Sequence, residues 1–225
     1  MNTFDKNDLI PGLLLVDKPK HWTSNDVVKK VKSIIKVKKI GHAGTLDPLA
    51  SGLLILGINK GTKLLNNLLL DTKTYLATIH FNYYTDTNDS EGQIQEYQYK
   101  DINLEDIKKE LDSFKNSEYH QFPPKYSAIK INGQKAYDLA RKNVDFKINS
   151  KVVKLIDYNI ISYVGKELIV EITVSKGFYV RSFAYDLGIK LNNFANLANL
   201  VRTKIGEHSL KEAHTIKEIY DLYSK

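Results

Sequence analysis

A glycine-rich loop, Gly41-His42-Ala43-Gly44-Thr45-Leu46-Asp47-Pro48-Leu49-Ala50-Ser51-Gly52, runs straight into the aliphatic tetrad Leu53-Leu54-Ile55-Leu56. No other stretch constrains the fold as much. An apolar run bounded by turn signals reads as a buried strand. Glycines at 41, 44 and 52 permit tight turns and close approach of the backbone to a ligand. Pro48 fixes its own φ and biases Asp47 away from the helical region. A lysine-rich stretch of helical pattern precedes the loop. Asp47 therefore stands between a basic face and a core strand, and two readings stay open. It is a turn-former, for which Asp-Pro is ordinary punctuation, or a working carboxylate.

Upstream, residues 12–16 (Gly-Leu-Leu-Leu-Val) read as a short buried strand closed by the turn Asp17-Lys18-Pro19-Lys20. Thr23 and Asp26 have capping-box spacing, with Asp in place of the usual Glu. The helix they open places Val27, Val31, Ile34 and Ile35 on one face. Lys29, Lys30, Lys32, Lys36, Lys38 and Lys39 lie on its other face and in the following loop: either a solvated surface or a gatherer of phosphates.

Downstream, residues 73–81 alternate, with Tyr75, Ala77, Ile79 and Phe81 on one face of a half-buried strand. Residues 85–92 are polar turn chemistry. Asn103 and Asp106 cap an amphipathic helix with Leu104, Ile107, Leu111 and Phe114 expected inward. The turn-rich, cationic segment 122–133 leads to a short helix at 135–142. Strands follow at 152–163 and 167–175; Gly177 to Arg181 then precede a helix through Leu191, and further short helices cover about 194–201 and 215–223. Strands and helices mix without a regular βαβ rhythm. This predicts an α+β domain on a largely antiparallel sheet, a single domain over 1–225.

Composition narrows the chemistry. The chain has no cysteine, which excludes disulfides and cysteine–zinc sites. The six histidines include no i, i+4 pair, so a helical zinc motif is absent. Phosphate-loop, dinucleotide and nucleophile-elbow patterns are missing as well. Residues 1–8 lack the apolar core of a signal peptide, and no apolar run approaches the roughly 20 residues that span a bilayer. The expected compartment is the cytoplasm. A net charge of +7 favours a polyanionic partner, and fourteen tyrosines beside 33 Lys and Arg favour RNA, whose unpaired bases stack on aromatic faces. A reaction free of metal and cofactor, or simple binding, remains. The candidate reactive groups are Asp47, Tyr75, Tyr179 and Arg181.

At these residues the sequence resembles the TruB family of tRNA pseudouridine synthases. The matching blocks are Gly12 to Pro19, Thr23 to Asp26, the aspartate loop Gly41 to Gly52, Lys73-Thr74-Tyr75 and Thr85 to Gly92. Pro123 to Ala128, Gly133 to Tyr137, Ser175 to Arg181 and Leu200-Val201-Arg202-Thr203 follow in order across nearly the whole chain. The resemblance implies isomerisation of uridine 55 in the T-loop of tRNA to pseudouridine. The fold it implies is the pseudouridine synthase catalytic fold, a central mixed, mostly antiparallel sheet flanked by helices. Asp47 matches the catalytic aspartate, Tyr75 the tyrosine that stacks on the target base, and Arg181 the arginine paired to the aspartate. Lys18, His42, Tyr179 and Leu200 fall where the family lines its RNA and uracil pocket. Lys29, Lys30, Lys38, Lys39, Lys125, Lys130 and Arg202 are expected on RNA phosphates. The expected partner is the T-arm of tRNA, with the protein monomeric. Family members commonly carry a C-terminal RNA-binding domain of the PUA type after the Leu-Val-Arg-Thr block, and none is expected here. Residues 82–84 (Asn-Tyr-Tyr) also lack a glycine often found before Thr85, a local loop difference.

Overall fold

The computed structural model describes residues 12–97, 100–131, 133–142 and 144–223; Met1 to Asp8 and Asn132 lie outside them. In chain order the elements begin with β1 (Leu13–Lys18), α1 (Ser24–Ile35), β2 (Ile40–Ala43), β3 (Ser51–Ile58), α2 (Leu65–Leu70) and β4 (Lys73–Phe81). Next come β5 (Tyr83–Thr85), β6 (Ile94–Tyr97), α3 (Leu104–Lys115), β7 (Tyr119–Gln121), β8 (Lys130–Ile131), β9 (Gln134–Lys135), α4 (Ala136–Arg141) and β10 (Lys151–Val153). The last are β11 (Leu155–Val164), β12 (Glu167–Val174), α5 (Val180–Lys190), β13 (Ala195–Ile205), β14 (His208–Ser209) and α6 (Ile216–Tyr223). Among the described residues, eight strands share one mixed sheet, ordered β1-β3-β13-β4-β12-β11, with β2 also on β3 and β14 on β13. Helices and a mixed sheet make this an α+β fold. Among the described residues, no helix is long and apolar enough to cross a membrane.

The chain divides into two compact units. The first runs up to Tyr75 and resumes at Leu200. Its centre is β3, every residue of which from Gly52 to Ile58 is buried. A strand buried on both faces reads as a continuous apolar run rather than an alternation. Its period of two still sorts the side chains. Leu54 and Leu56 pack with Val16, Val27, Val31 and Ile219, whereas Leu53 and Ile55 pack with Ala43, Leu65, Leu68 and Ile205. Each such aliphatic side chain contributes about 1.5–3 kcal/mol by leaving water. Antiparallel β1 and β2 and parallel β13 all pair with β3.

The capping box that opens α1 is formed: the Thr23 hydroxyl accepts from the Asp26 amide at 3.1 Å, and the Asp26 carboxylate accepts from the Thr23 amide at 3.0 Å. The helix stops at Lys36, which takes the left-handed conformation (φ 54°).

The second unit, Leu76–Asn199, holds the β11–β12 antiparallel pair and helices α3 to α5. Leu168, Val170, Ile172 and Val174 are buried along β12, as their alternation predicts. Phe114, Tyr119, Phe178 and Phe183 form a tilted and edge-to-face cluster with centroids 4.8–5.8 Å apart. α5 is buried over most of its length.

Two expectations are corrected. Residues 194–201 are no helix; they fall largely in β13, whose Val201 and Arg202 pair with Ser51 and Gly52. The spacing of Phe194, Leu197, Leu200 and Val201 suits a helix, but in a strand covered on both faces apolar spacing no longer reports the period. Leu104, at the first turn of α3, is exposed, while Ile107, Leu111 and Phe114 of the same stripe are buried.

Candidate active site

The aspartate loop links β2 to β3, whose antiparallel pairing includes Ala43 with Ile55 and His42 with Leu56. Leu46, Leu49 and Ala50 are buried, Thr45 and Pro48 are exposed, and Asp47 is half-buried between them. The Asp47 carbonyl accepts from the Ala50 amide at 3.1 Å, so the backbone does form a turn across Pro48. Turn-former and working carboxylate are therefore compatible, one using the main chain and the other the side chain.

Three neighbouring segments hold this loop by its backbone. Ser24, 2 % exposed, accepts from the Leu46 amide at 2.8 Å and donates to the Leu46 carbonyl at 3.2 Å. Arg202, 1 % exposed, donates from Nε to Leu53 O at 2.8 Å and from Nη2 to Gly44 O at 3.1 Å. The His21 amide donates to Pro48 O at 2.7 Å. Gly52 has φ +99°, and a Cβ there would lie 2.5 Å from the Arg202 carbonyl oxygen, so only glycine fits where β3 meets β13.

The expected RNA-binding cations divide. Lys29, Lys30, Lys38, Lys39, Lys125 and Lys130 are exposed and available to phosphates. Arg202 is not on that surface. Its guanidinium is spent on buried carbonyls, because a charge inside a protein must be met by hydrogen-bond partners. Lys18 is likewise fully buried, its ammonium donating to Trp22 O at 2.6 Å and Pro19 O at 2.9 Å. Those bonds fix the turn that presents the His21 amide to the loop.

His42 lies on β2, and burial, then the Arg202 charge, hold its imidazole below the usual histidine range, against a hydrogen bond to the Gly44 backbone. Lys73 is buried with its ammonium on the carbonyls of Leu68, Leu69 and Asp71; burial and then Arg202 push it down to about 8. Tyr75 on β4 and Leu200 on β13 are both buried.

In the second unit, Arg181 is 4 % exposed. Its Nη1 lies 3.6 Å from Asp89 Oδ2 and donates to Thr87 O at 3.2 Å, while Nη2 donates to Tyr126 O at 2.9 Å. Asp89 is equally buried; its Oδ1 accepts from the Thr87 hydroxyl at 2.6 Å and the Glu91 amide at 3.1 Å. Tyr179 is the N-cap of α5 and presents its backbone to Gln121. The Tyr179 amide donates to Gln121 Oε1 at 2.7 Å, and Gln121 Nε2 donates to Tyr179 O at 2.9 Å. Ser182 adds a bond to Phe122 O at 2.7 Å.

Sequence reasoning misses Ser24, Asp89 and Gln121. Ser24 carries a signal: with Val27 and Val31 it occupies the i, i+3, i+7 stripe of α1, where a hydroxyl is out of place unless it has a bonding partner. Asp89 looks like one more polar residue of a turn, and Gln121 carries no pattern at all.

The family described as TruB family pseudouridylate synthase (N terminal domain) matches residues 32–180. The chain is 51 % identical over its whole length to tRNA pseudouridine synthase B of Ureaplasma urealyticum serovar 10, covering 96 % of that protein. It is 43 % identical to the protein of the same name from Malacoplasma penetrans, with 96 % of this chain and 92 % of that one covered. A chain in the crystal structure of a Cbf5-Nop10-Gar1 complex superposes with a TM-score of 0.73 at 26 % identity, covering 94 % of this chain and 54 % of that one. This chain thus spans about half the length of that solved relative. Full-length identity to named synthases and a family match across most of the sequence meet at the same anchored aspartate loop: the chain belongs to the TruB family of pseudouridylate synthases.

Proposed function

We propose that this enzyme isomerises uridine 55 in the T-loop of tRNA to pseudouridine. It acts as a monomer in the cytoplasm, within a single catalytic domain. The observation that carries this reading is 51 % identity over the full chain to a relative named tRNA pseudouridine synthase B. The carboxylate of the half-buried Asp47, on a loop whose backbone is held at Gly44, Leu46, Pro48 and Leu53, is what the chemistry asks for.

In the reaction the bond from the sugar C1′ to uracil N1 breaks, the base rotates, and a bond from C1′ to C5 forms. The hydrogen on C5 leaves as a proton and N1 ends protonated, so nothing is oxidised overall. Asp47 supplies an ionised carboxylate to attack the ring or the sugar, or to stabilise a cationic sugar. The target base must first leave its stack, at a cost of a few kcal/mol. Stacking on Tyr75 recovers roughly 1–3 kcal/mol of that. Arg181, always charged and planar, is the arginine that the family resemblance assigns to the reaction. His42, as a neutral imidazole, holds the space the base vacates.

Transcripts of tRNA tritiated at C5 of uridine test this directly. Near-stoichiometric release of tritium to water is expected. Tight tRNA binding without release would replace the enzyme with a tRNA-binding protein on the same scaffold. Release from an isolated T-arm at a rate close to that from whole tRNA is expected if the T-arm is the recognised part.

The exposed lysines at 29, 30, 38, 39, 125 and 130 give a second expectation. The logarithm of the tRNA association constant should fall linearly with the logarithm of salt concentration, by roughly 0.7–0.9 for each phosphate engaged. Replacing Lys29 and Lys30 by glutamine should flatten that slope and leave the single-turnover rate at saturation unchanged. A slope identical to that of the native protein would remove these lysines from the interface.

A further inference from the structure

We infer that Ser24 is a positioning residue for the catalytic aspartate, acting through the backbone of Leu46; the inference rests on the synthase reading above. Thr23 and Asp26 close the capping box and so fix the first turn of α1 in one geometry. The next residue along, Ser24, is thereby turned onto the buried stripe with Val27 and Val31. There its hydroxyl meets both polar groups of Leu46, accepting from the amide at 2.8 Å and donating to the carbonyl at 3.2 Å. One side chain thus satisfies both main-chain groups of the residue immediately before Asp47.

The Leu46 side chain is itself buried, so the Asp47 Cα is approached from a residue whose backbone and side chain are both fixed. On the far side, the Asp47 carbonyl is tied to the Ala50 amide. Arg202 fixes the outer ends of the loop, at Gly44 and Leu53. Compared with Arg202, Ser24 therefore acts closer along the chain to the carboxylate. Reaction geometry is sensitive at this scale, since a displacement of about 1 Å can cost about 10²-fold in rate.

Ser24→Ala deletes the clamp and leaves two buried backbone groups without it. Ser24→Thr keeps the hydroxyl, and Ser24→Cys keeps the size with a weak hydrogen-bonding group. Under saturating enzyme, well below the unfolding midpoint, the single-turnover rate of tritium release should fall about 10- to 100-fold in Ser24→Ala. It should fall by a similar factor in Ser24→Cys and recover in Ser24→Thr, with the dissociation constant for tRNA unchanged in all three. Hydrogen exchange gives a readout independent of activity: the Leu46 amide should exchange faster in Ser24→Ala, while amides of β3 keep their native protection.

A native rate of release from Ser24→Ala would overturn the inference and leave the synthase reading intact. The same holds for a loss accompanied by uniformly faster exchange across α1 and β3, which is the signature of general destabilisation. No release from the native protein would instead overturn the synthase reading.

Discussion

Asp47→Asn is expected to abolish tritium release from C5-labelled tRNA, by at least about 10³-fold, while tRNA affinity and thermal stability stay near native. The size follows from chemistry: a neutral amide of the same shape can neither attack as an anion nor stabilise a cationic sugar, and loss of a covalent or charge-bearing group commonly costs this much or more. The selectivity follows from how the loop is built. Its turn uses the Asp47 carbonyl, its anchors are Leu46, Leu49 and Ala50, and its clamps end on the backbone at Leu46, Gly44, Leu53 and Pro48. An asparagine of the same shape leaves these backbone clamps in place, so the substitution removes a charge while keeping the turn and its anchors. A filter-binding constant and a melting curve alongside the tritium assay settle the matter. Release at the native rate would mean that the carboxylate is misassigned. A melting temperature lowered in step with activity would mean that the side chain holds the loop.

Much of this loop is legible from the order of its residues. The aliphatic tetrad announces a buried strand, glycine announces a close approach of the backbone, which at Gly52 is made to β13 rather than to a ligand, and the Thr-Ser-Asn-Asp stretch announces a helix start. Destination is what the order of residues does not carry. Arg202 looks like a cation for RNA because a sequence shows charge but not depth, and it donates to the carbonyls of Leu53 and Gly44. Asp89 and Gln121 act through partners far along the chain, Arg181 and Tyr179, and no local period encodes such pairings. The helical spacing at 194–201 misleads for the same reason. Spacing informs only when one face is wet, and β13 is largely buried.

Arg181→Met should lower both activity and stability by large amounts, and a second substitution separates the two effects. Asp89 and Arg181 are each only 4 % exposed, so removing the guanidinium leaves a buried carboxylate to the Thr87 hydroxyl and the Glu91 amide. Breaking a buried pair on one side typically costs about 3–5 kcal/mol, whereas replacing both members by apolar groups is often close to neutral. The double variant Arg181→Met/Asp89→Leu should therefore regain part of the lost stability. Recovery should be incomplete, because the carbonyls of Thr87 and Tyr126 also lose their donor. Arg181→Lys should lose ground as well, since a single ammonium cannot serve two carbonyls and a carboxylate with the planar geometry of a guanidinium. Tritium release should stay depressed by about 10²-fold or more in every one of these proteins, including the restabilised double variant, if the arginine's charge is part of the chemistry. Activity returning together with stability in the double variant would make Arg181 a structural residue whose only task is to hold the Thr85-to-Gly92 turn.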